Sequence, residues 1–128
     1  MQKYDKRNTA ELKKFIYNSC AHDAKIENIE YKCGEGSIKI EFSNSFFNVR
    51  TEMLFQDLEI VFAVKGKEYG NRETVISLTL EEDYSYLRTY LLERNEFPEG
   101  CLYLLFQMLS GDELHIVSRA VTTEITQQ

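Results

Sequence analysis

Residues 37–44 read Ser-Ile-Lys-Ile-Glu-Phe-Ser-Asn, and this octet decides the fold. Ile38, Ile40 and Phe42 alternate with Ser37, Lys39, Glu41 and Ser43, a period of two that puts an apolar and a polar face along a strand. Upstream, Ile29 and Tyr31 keep the same period. Between the two runs, Cys33-Gly34-Glu35-Gly36-Ser37 reads as a hairpin turn in which Gly34 and Gly36 supply positive φ. Residues 25–43 are therefore expected to form an antiparallel hairpin. Ile26 is out of step with Ile29 and Tyr31, and a bulge near Asn28 restores the phase.

Downstream, Phe47, Val49, Thr51, Met53 and Phe55 line one face of a third expected strand, and Leu58, Ile60, Phe62 and Val64 one face of a fourth. The loop from Gly66 to Arg72 leads to a fifth, Glu73–Leu80, with Ile76, Leu78 and Leu80 pointing one way. Cys101–Leu109 and Leu114–Thr123, joined by Ser110-Gly111-Asp112-Glu113, predict a closing antiparallel hairpin. In front of the strands, Leu12, Phe15, Ile16 and Ser19 recur at helical spacing behind a cap at Asn8 or Thr9, so a short amphipathic helix is expected over about residues 9–20.

Residues 81–99 fit two periods. Tyr84, Leu87 and Leu91 make a helical stripe with Asp83 as cap, whereas Tyr84, Tyr86, Arg88, Tyr90 and Leu92 would alternate along a strand. The reading favours a short helix or an irregular excursion, ended by Asn95-Glu96-Phe97-Pro98-Glu99-Gly100. The expected fold class is α+β and mainly antiparallel β. The N-terminal helix packs on a twisted sheet, or on a partly open barrel or sandwich, of six to eight strands, and the chain is a single domain over residues 1–128, β-rich from 25 to 123.

The 128 residues are 43% apolar and 28% charged, the composition of an ordinary globular chain with material for one core. No apolar run reaches the roughly 18 residues of a membrane span, and the charged start is unlike an export signal, which favours the cytoplasm and no membrane partner. Cys20, Cys33 and Cys101 are an odd number without a CxxC pair, as suits free thiols. Charge is uneven: residues 1–40 carry a net +2 and residues 41–128 a net −8. The segment from Glu81 to Glu113 holds eight acids against Arg88 and Arg94, a surface that repels nucleic acid and attracts basic partners.

Motifs for chemistry are sparse. His22-Asp23 has the dipeptide of metal-dependent phosphohydrolases, but no further histidine precedes it to complete a ligand set. Cys20, His22, Cys33 and Cys101 match no zinc spacing, so neither a metal nor another cofactor is expected. A Cys-His-acid nucleophile from Cys20 or Cys101 with His115 and Glu113 lacks any local signature. Gly34-x-Gly36 and Gly66-x-x-x-Gly70 are not phosphate cradles. His22 and Asp23 read instead as a helix-to-strand joint, the imidazole donating to the helix's last carbonyls and Asp23 bonding neighbouring amides, while Ala24 lets the first strand pass beneath the helix. The most plausible binding surface is Glu81, Glu82 and Asp83 with Tyr84, Tyr86 and Tyr90, because tyrosine offers rigid contact area with a polar tip.

The order of a helix, then His-Asp-Ala-x-Ile-x-x-Ile-x-Tyr, a glycine turn and Ile-Lys-Ile-x-Phe, over residues 12–42, resembles small bacterial domains of unknown function, some grouped with immunity proteins of polymorphic toxin systems. Residues 105–117, around Leu-Ser-Gly-Asp-Glu-Leu-His-Ile, resemble their closing hairpin. The resemblance implies a compact β-rich binding protein without enzymatic activity. Protein binding is accordingly the expected function, with inhibition of a basic toxin by the acidic segment as its sharper form. A barrel that binds a small molecule or carbohydrate is the alternative, and a hydrolase built on His22 and Asp23 comes third.

Overall fold

The computed structural model describes residues 1–66, 73–88 and 97–127, with Tyr86 and Arg88 described by backbone alone. The elements are β1 (Gln2–Asp5), α1 (Thr9–Asn18), β2 (Lys25–Lys32), β3 (Ser37–Asn44), β4 (Val49–Val64), β5 (Val75–Leu80), the single turn α2 (Ser85–Arg88), β6 (Leu102–Met108) and β7 (Glu113–Gln127). The strands form one antiparallel seven-stranded sheet in the order β2-β3-β4-β7-β6-β5, with β1 added beside β7. β4 occupies one edge of β7 along its length, and β6 and β1 follow each other along the opposite edge. The two ends of the sheet also meet. Lys25 bridges to Thr74, the Asp23 and Ile26 N–H groups donate to the Val75 and Glu73 carbonyls, and Val75 N–H donates to the Ala24 carbonyl, each at 2.8 Å. The architecture is thus the expected α+β fold, with the sheet curled into a partly open barrel.

The 25–43 hairpin has the predicted phase: Ile29 pairs with Ile40 and Tyr31 with Ile38, and the register shifts between Ile26 and Asn28. Of the two turn glycines only Gly36 has positive φ, +60°, because residues 33–35 form a 3-10 turn that Gly36 terminates. β3 supplies Ile38, Ile40 and Phe42 to the core, where Phe106 meets the rings of Phe42 and Phe55 edge-on at 6.3 and 6.4 Å. Leu12 of α1 is fully buried, and Phe15 and Ile16 pack partly on the same core. The helix is capped differently from expectation: Asn8 accepts from the Asp5 N–H at 2.7 Å, closing a capping box around the 3-10 turn Lys6–Asn8, and makes no side-chain bond into α1 itself.

Three strand expectations are corrected. The third and fourth strands are one, β4, whose ladder with β7 runs from Val49 to Val64. Its apolar phase moves from odd to even positions because Asp57 takes φ +53° and the register shifts between Leu58 and Ile60, a bulge rather than a reversal. Leu58 consequently joins the main core, while Ile60 and Phe62 pack into a second cluster. In β5 a shift between Val75 and Ser77 sends Val75 and Leu78 inward and leaves Ile76 exposed. β1 has no counterpart among the expected strands, since Tyr4 is its one inward-facing apolar residue.

β6 is apolar at nearly every position because both of its faces are covered. Leu102, Leu104, Phe106 and Met108 enter the main core, whereas Cys101, Tyr103 and Leu105 form the second cluster with Val117 and Leu87, against which Tyr84 and Phe97 pack. Tyr84, Leu87 and Phe97 of the connection after β5 thus lie over the outer face of the sheet, and α2 is the one helical turn among its described residues. Tyr90, Leu91 and the other residues of 89–96 lie outside the described residues, as do residues 67–72 of the expected loop.

Candidate functional site

At the helix-to-strand joint, α1 ends with Ser19 Oγ donating to the Ile16 carbonyl at 2.7 Å, and Cys20 and Asp23 take φ values of +58° and +67°. The carbonyls that follow are satisfied from the sheet. Thr51 Oγ1 donates to the Ser19 carbonyl at 3.3 Å, and Asn44 Nδ2 donates to the Cys20 and His22 carbonyls at 3.0 and 3.2 Å. His22 stands at the joint but does not serve the helix end: its Nδ1 donates to the Ile76 carbonyl of β5 at 2.5 Å, and its ring is largely exposed. The Asp23 carboxylate lies 3.5 Å from His22 Nε2, and it is the Asp23 backbone N–H that bonds, to Val75.

Asn44 therefore has the role assigned from the sequence to His22. Its Oδ1 also accepts from the Phe46 and Phe47 N–H groups, at 2.9 and 3.2 Å, so one buried amide ties α1, β3 and the β3–β4 turn together. Asn44→Ala is expected to cost about 2 kcal/mol, the loss of several buried backbone partners, measured by urea unfolding. His22→Ala, at an exposed ring, should cost less than half of that.

The acidic segment leaves β5 with the Glu81 N–H donating to the Tyr103 carbonyl at 2.8 Å. Thr79 Oγ1 donates to Glu81 Oε1 at 2.7 Å, and Asp83 Oδ1 accepts from the Ser85 N–H and hydroxyl at 3.0 and 2.7 Å, the expected cap of α2. Successive side chains on an extended connection point to opposite sides, and Glu82 turns away to pair with Lys13, whose hydrogen bond holds the carboxyl below the usual carboxylate range. Glu81 and Asp83 instead line a depression of about 320 Å³ together with Tyr103, Leu105, Gln107 and Glu113.

The structure thus brings together Glu81 and Asp83 from the predicted set and adds Glu113, Tyr103 and Gln107 from the closing hairpin. Gln107 pairs with Glu113 across that hairpin, so Glu113 opens β7 and is not the last residue of the turn, as the sequence reading of Ser110–Glu113 has it. Tyr84 is packed rather than presented: its ring stacks on Phe97 at 3.7 Å, and its hydroxyl accepts from Lys6 Nζ at 3.1 Å. Tyr86 is described by backbone alone, and Tyr90 lies outside the described residues.

Beneath the depression lies a buried polar unit. The Tyr103 hydroxyl donates to His115 Nδ1 at 2.6 Å, His115 Nε2 donates to Glu113 Oε1 at 3.2 Å, and the imidazole stacks on Phe62 with centroids 4.3 Å apart. This arrangement holds a neutral imidazole, with burial lowering its proton affinity against the opposing pull of Glu113 and Glu81. Cys101 shares the second cluster, but burial pushes its thiol up, which disfavours the thiolate a nucleophile requires. Among the described residues no group of three or more His, Cys, Asp or Glu side chains is placed to hold a metal ion, and no helix is long and apolar enough to cross a membrane. No protein-family model matches the chain, and a search of curated proteins finds no match.

Proposed function

We propose that the protein is a non-catalytic binding domain whose partner is a basic protein, held at the depression bounded by Glu81, Asp83 and Glu113. The observation that carries this reading is the convergence of those three carboxylates, two from the connection after β5 and one from β7, around a floor that includes Tyr103 and Leu105. A lysine or arginine side chain entering there meets negative potential over a partly apolar surface, which favours charge-assisted pairing and fast, salt-sensitive association. The formal charge of −6 favours the same class of partner and opposes nucleic acid. Occlusion of a basic toxin by an immunity-type bacterial inhibitor is the sharper form of the reading, and three free thiols fit a reducing cytoplasm.

The test is capture from a lysate of the source cells at low and high salt, by the wild-type protein and by a Glu81→Lys, Glu82→Lys, Asp83→Asn variant. Asparagine keeps the cap on α2, and the exposed Lys13 pair contributes little, so the variant should melt within a few degrees of wild type. A basic protein captured in stoichiometric amount, released by salt and lost from the variant is the expected result. Undiminished capture by the variant overturns the proposed face.

A further inference from the structure

The bulge at Asp57 gathers a second set of polar groups on the outer face of the sheet. Ile38 and Phe55 pair and face the core, so their neighbours Ser37 and Gln56 face outward, and Leu54, Thr122 and Lys3 stand level with one another across β4, β7 and β1. Lys3, Glu35, Ser37, Leu54, Gln56 and Asp57 line one depression of about 290 Å³. Its two walls carry opposite charge. Lys3 comes from β1, on the far side of β7, whereas Glu35 comes from the turn before β3 and Asp57 from the bulge of β4.

These charges are not spent on one another. Among the described residues the side chains of Lys3, Glu35 and Asp57 form no ion pair or hydrogen bond, and the next acid on that face of β1, Asp5, is held by Arg7 at 2.8 Å. Ser37 is only 6% exposed, yet its hydroxyl has no hydrogen-bond partner among the described residues and opens on the depression. Gln56 Oε1 accepts from Thr122 Oγ1 at 2.9 Å, which orients the amide and leaves Nε2 as a further donor on the same face. The carboxylate wall is fixed by backbone: the Leu58 N–H donates to the Gly36 carbonyl at 3.0 Å, fastening the bulge to the turn, and Asp57 and Gly36 take φ +53° and +60°. A bulge of this kind re-aims a side chain, and convergent polar groups in a fixed concavity select a ligand of the reversed pattern. β1 and β3 stand three strand spacings apart, roughly 14 Å, of which the lysine side chain spans part, so the ligand's charges are separated by about the length of two residues, roughly 7 Å. We propose that the depression binds a short zwitterion of dipeptide size, its ammonium group on Glu35 and Asp57 and its carboxylate on Lys3, with Ser37 and Gln56 bonding the atoms between. The site shares no residue with the acidic depression and does not rest on the binding function proposed above.

The experiment is a titration of the ¹⁵N-labelled full chain at pH 7, followed by amide NMR, with glycylglycine and separately with N-acetylglycylglycine, which keeps only the carboxylate, and glycylglycine amide, which keeps only the ammonium group. Saturable shifts at the Ser37, Gln56 and Asp57 amides are expected with glycylglycine, and affinity about tenfold weaker or more with either singly charged relative, the loss of one charge-assisted bond. Lys3→Met should lower the affinity for glycylglycine to that for its amide, and Glu35→Gln with Asp57→Asn should lower it to that for the acetylated form. These side chains have no protein partner among the described residues, and asparagine tolerates the left-handed backbone at position 57, so both variants should melt with the wild type. No saturable shift, shifts centred elsewhere, equal affinity of the wild type for either singly charged relative, or undiminished binding of glycylglycine by either folded variant overturns the proposal.

Discussion

Gly66→Ala is expected to destabilise the protein by about 3 kcal/mol or more, the cost of overpacking where no neighbour can withdraw. A Cβ at this position would fall against the Gly111 carbonyl carbon and the Ser110 carbonyl oxygen, closer than any side-chain carbon packs, and 2.6 Å from the Asp112 nitrogen. These are backbone atoms of the β6–β7 turn, which is itself fixed: the Gly111 N–H donates to Met108, the Met108 N–H donates to Asp112, and Gly111 takes φ +85°. On the other side, Gly66 lies two residues beyond the ladder pair Val64–Glu113 and donates its N–H to Asp112, so retreat breaks that bond and loosens the end of β4. Gly34→Ala is the control. Gly34 has nothing within 4 Å of its Cβ position and no positive φ, so the same substitution there should be neutral or stabilise slightly by restricting the unfolded chain. Urea midpoints of the two variants measure the difference. Equal midpoints would mean that the turn yields and that the close approach is not what holds β4 to it.

That contact also marks where the sequence stopped being legible. A period of two is a local property, and along β3 it marks the core residues Ile38, Ile40 and Phe42 correctly, whereas in β2 the same period marks the strand but not burial, since Ile29 and Tyr31 are about half exposed. Where one residue was inserted, the pattern still recorded a change of phase but not its cause. At Asp57 the switch from odd to even apolar positions reads equally as a turn between two strands or as a bulge within one. The continuous ladder to β7 decides for the bulge, and that partner lies some sixty residues further along the chain. At Ile76 a bulge turned an apolar residue outward for the same reason. β1 carries too little apolar pattern to be seen, since its pairing depends on the exposed edge of β7 rather than on its own composition.

The candidate site divides in the same way. The acidity of residues 81–83 and the cap at Asp83 are local and were legible. The convergence with Glu113 and the departure of Glu82 toward Lys13 depend on how a connection crosses the sheet. His22 illustrates the limit: an imidazole after a helix is a sound donor for terminal carbonyls, yet β3 brings Asn44 to those carbonyls and β5 brings the Ile76 carbonyl to the ring. Each alternative partner was supplied by tertiary structure, to which neither periodicity nor capping rules refer.

His115→Phe should cost about 2–3 kcal/mol, because a buried hydroxyl and a carboxylate lose a partner while the volume is nearly conserved. Phenylalanine keeps the stack on Phe62, so the loss reports polar pairing and not a cavity. Tyr103 no longer has the nitrogen that accepts its proton at 2.6 Å, and Glu113 loses the donor at 3.2 Å. Tyr103→Phe added to His115→Phe should recover part of the cost by removing the hydroxyl that has lost this acceptor, so that the two changes together are less damaging than the sum of the two alone. The wild-type protein should also show a pH dependence that His115→Phe lacks. In the folded state burial lowers the His115 pKa, whereas in the unfolded chain the ring titrates near its ordinary value of about 6.5. The unfolded state therefore binds more protons than the folded one once the pH drops below that value, and stability fully present above it declines as the pH falls toward the lowered folded pKa. Urea unfolding of both proteins at pH 8, 7, 6 and 5 gives the comparison. A stability difference between wild type and His115→Phe that narrows toward pH 5 confirms a neutral imidazole held by Tyr103, Glu113 and Phe62. A difference constant across the range would show that His115 titrates alike in both states, and that its burial among these partners does not favour the neutral ring.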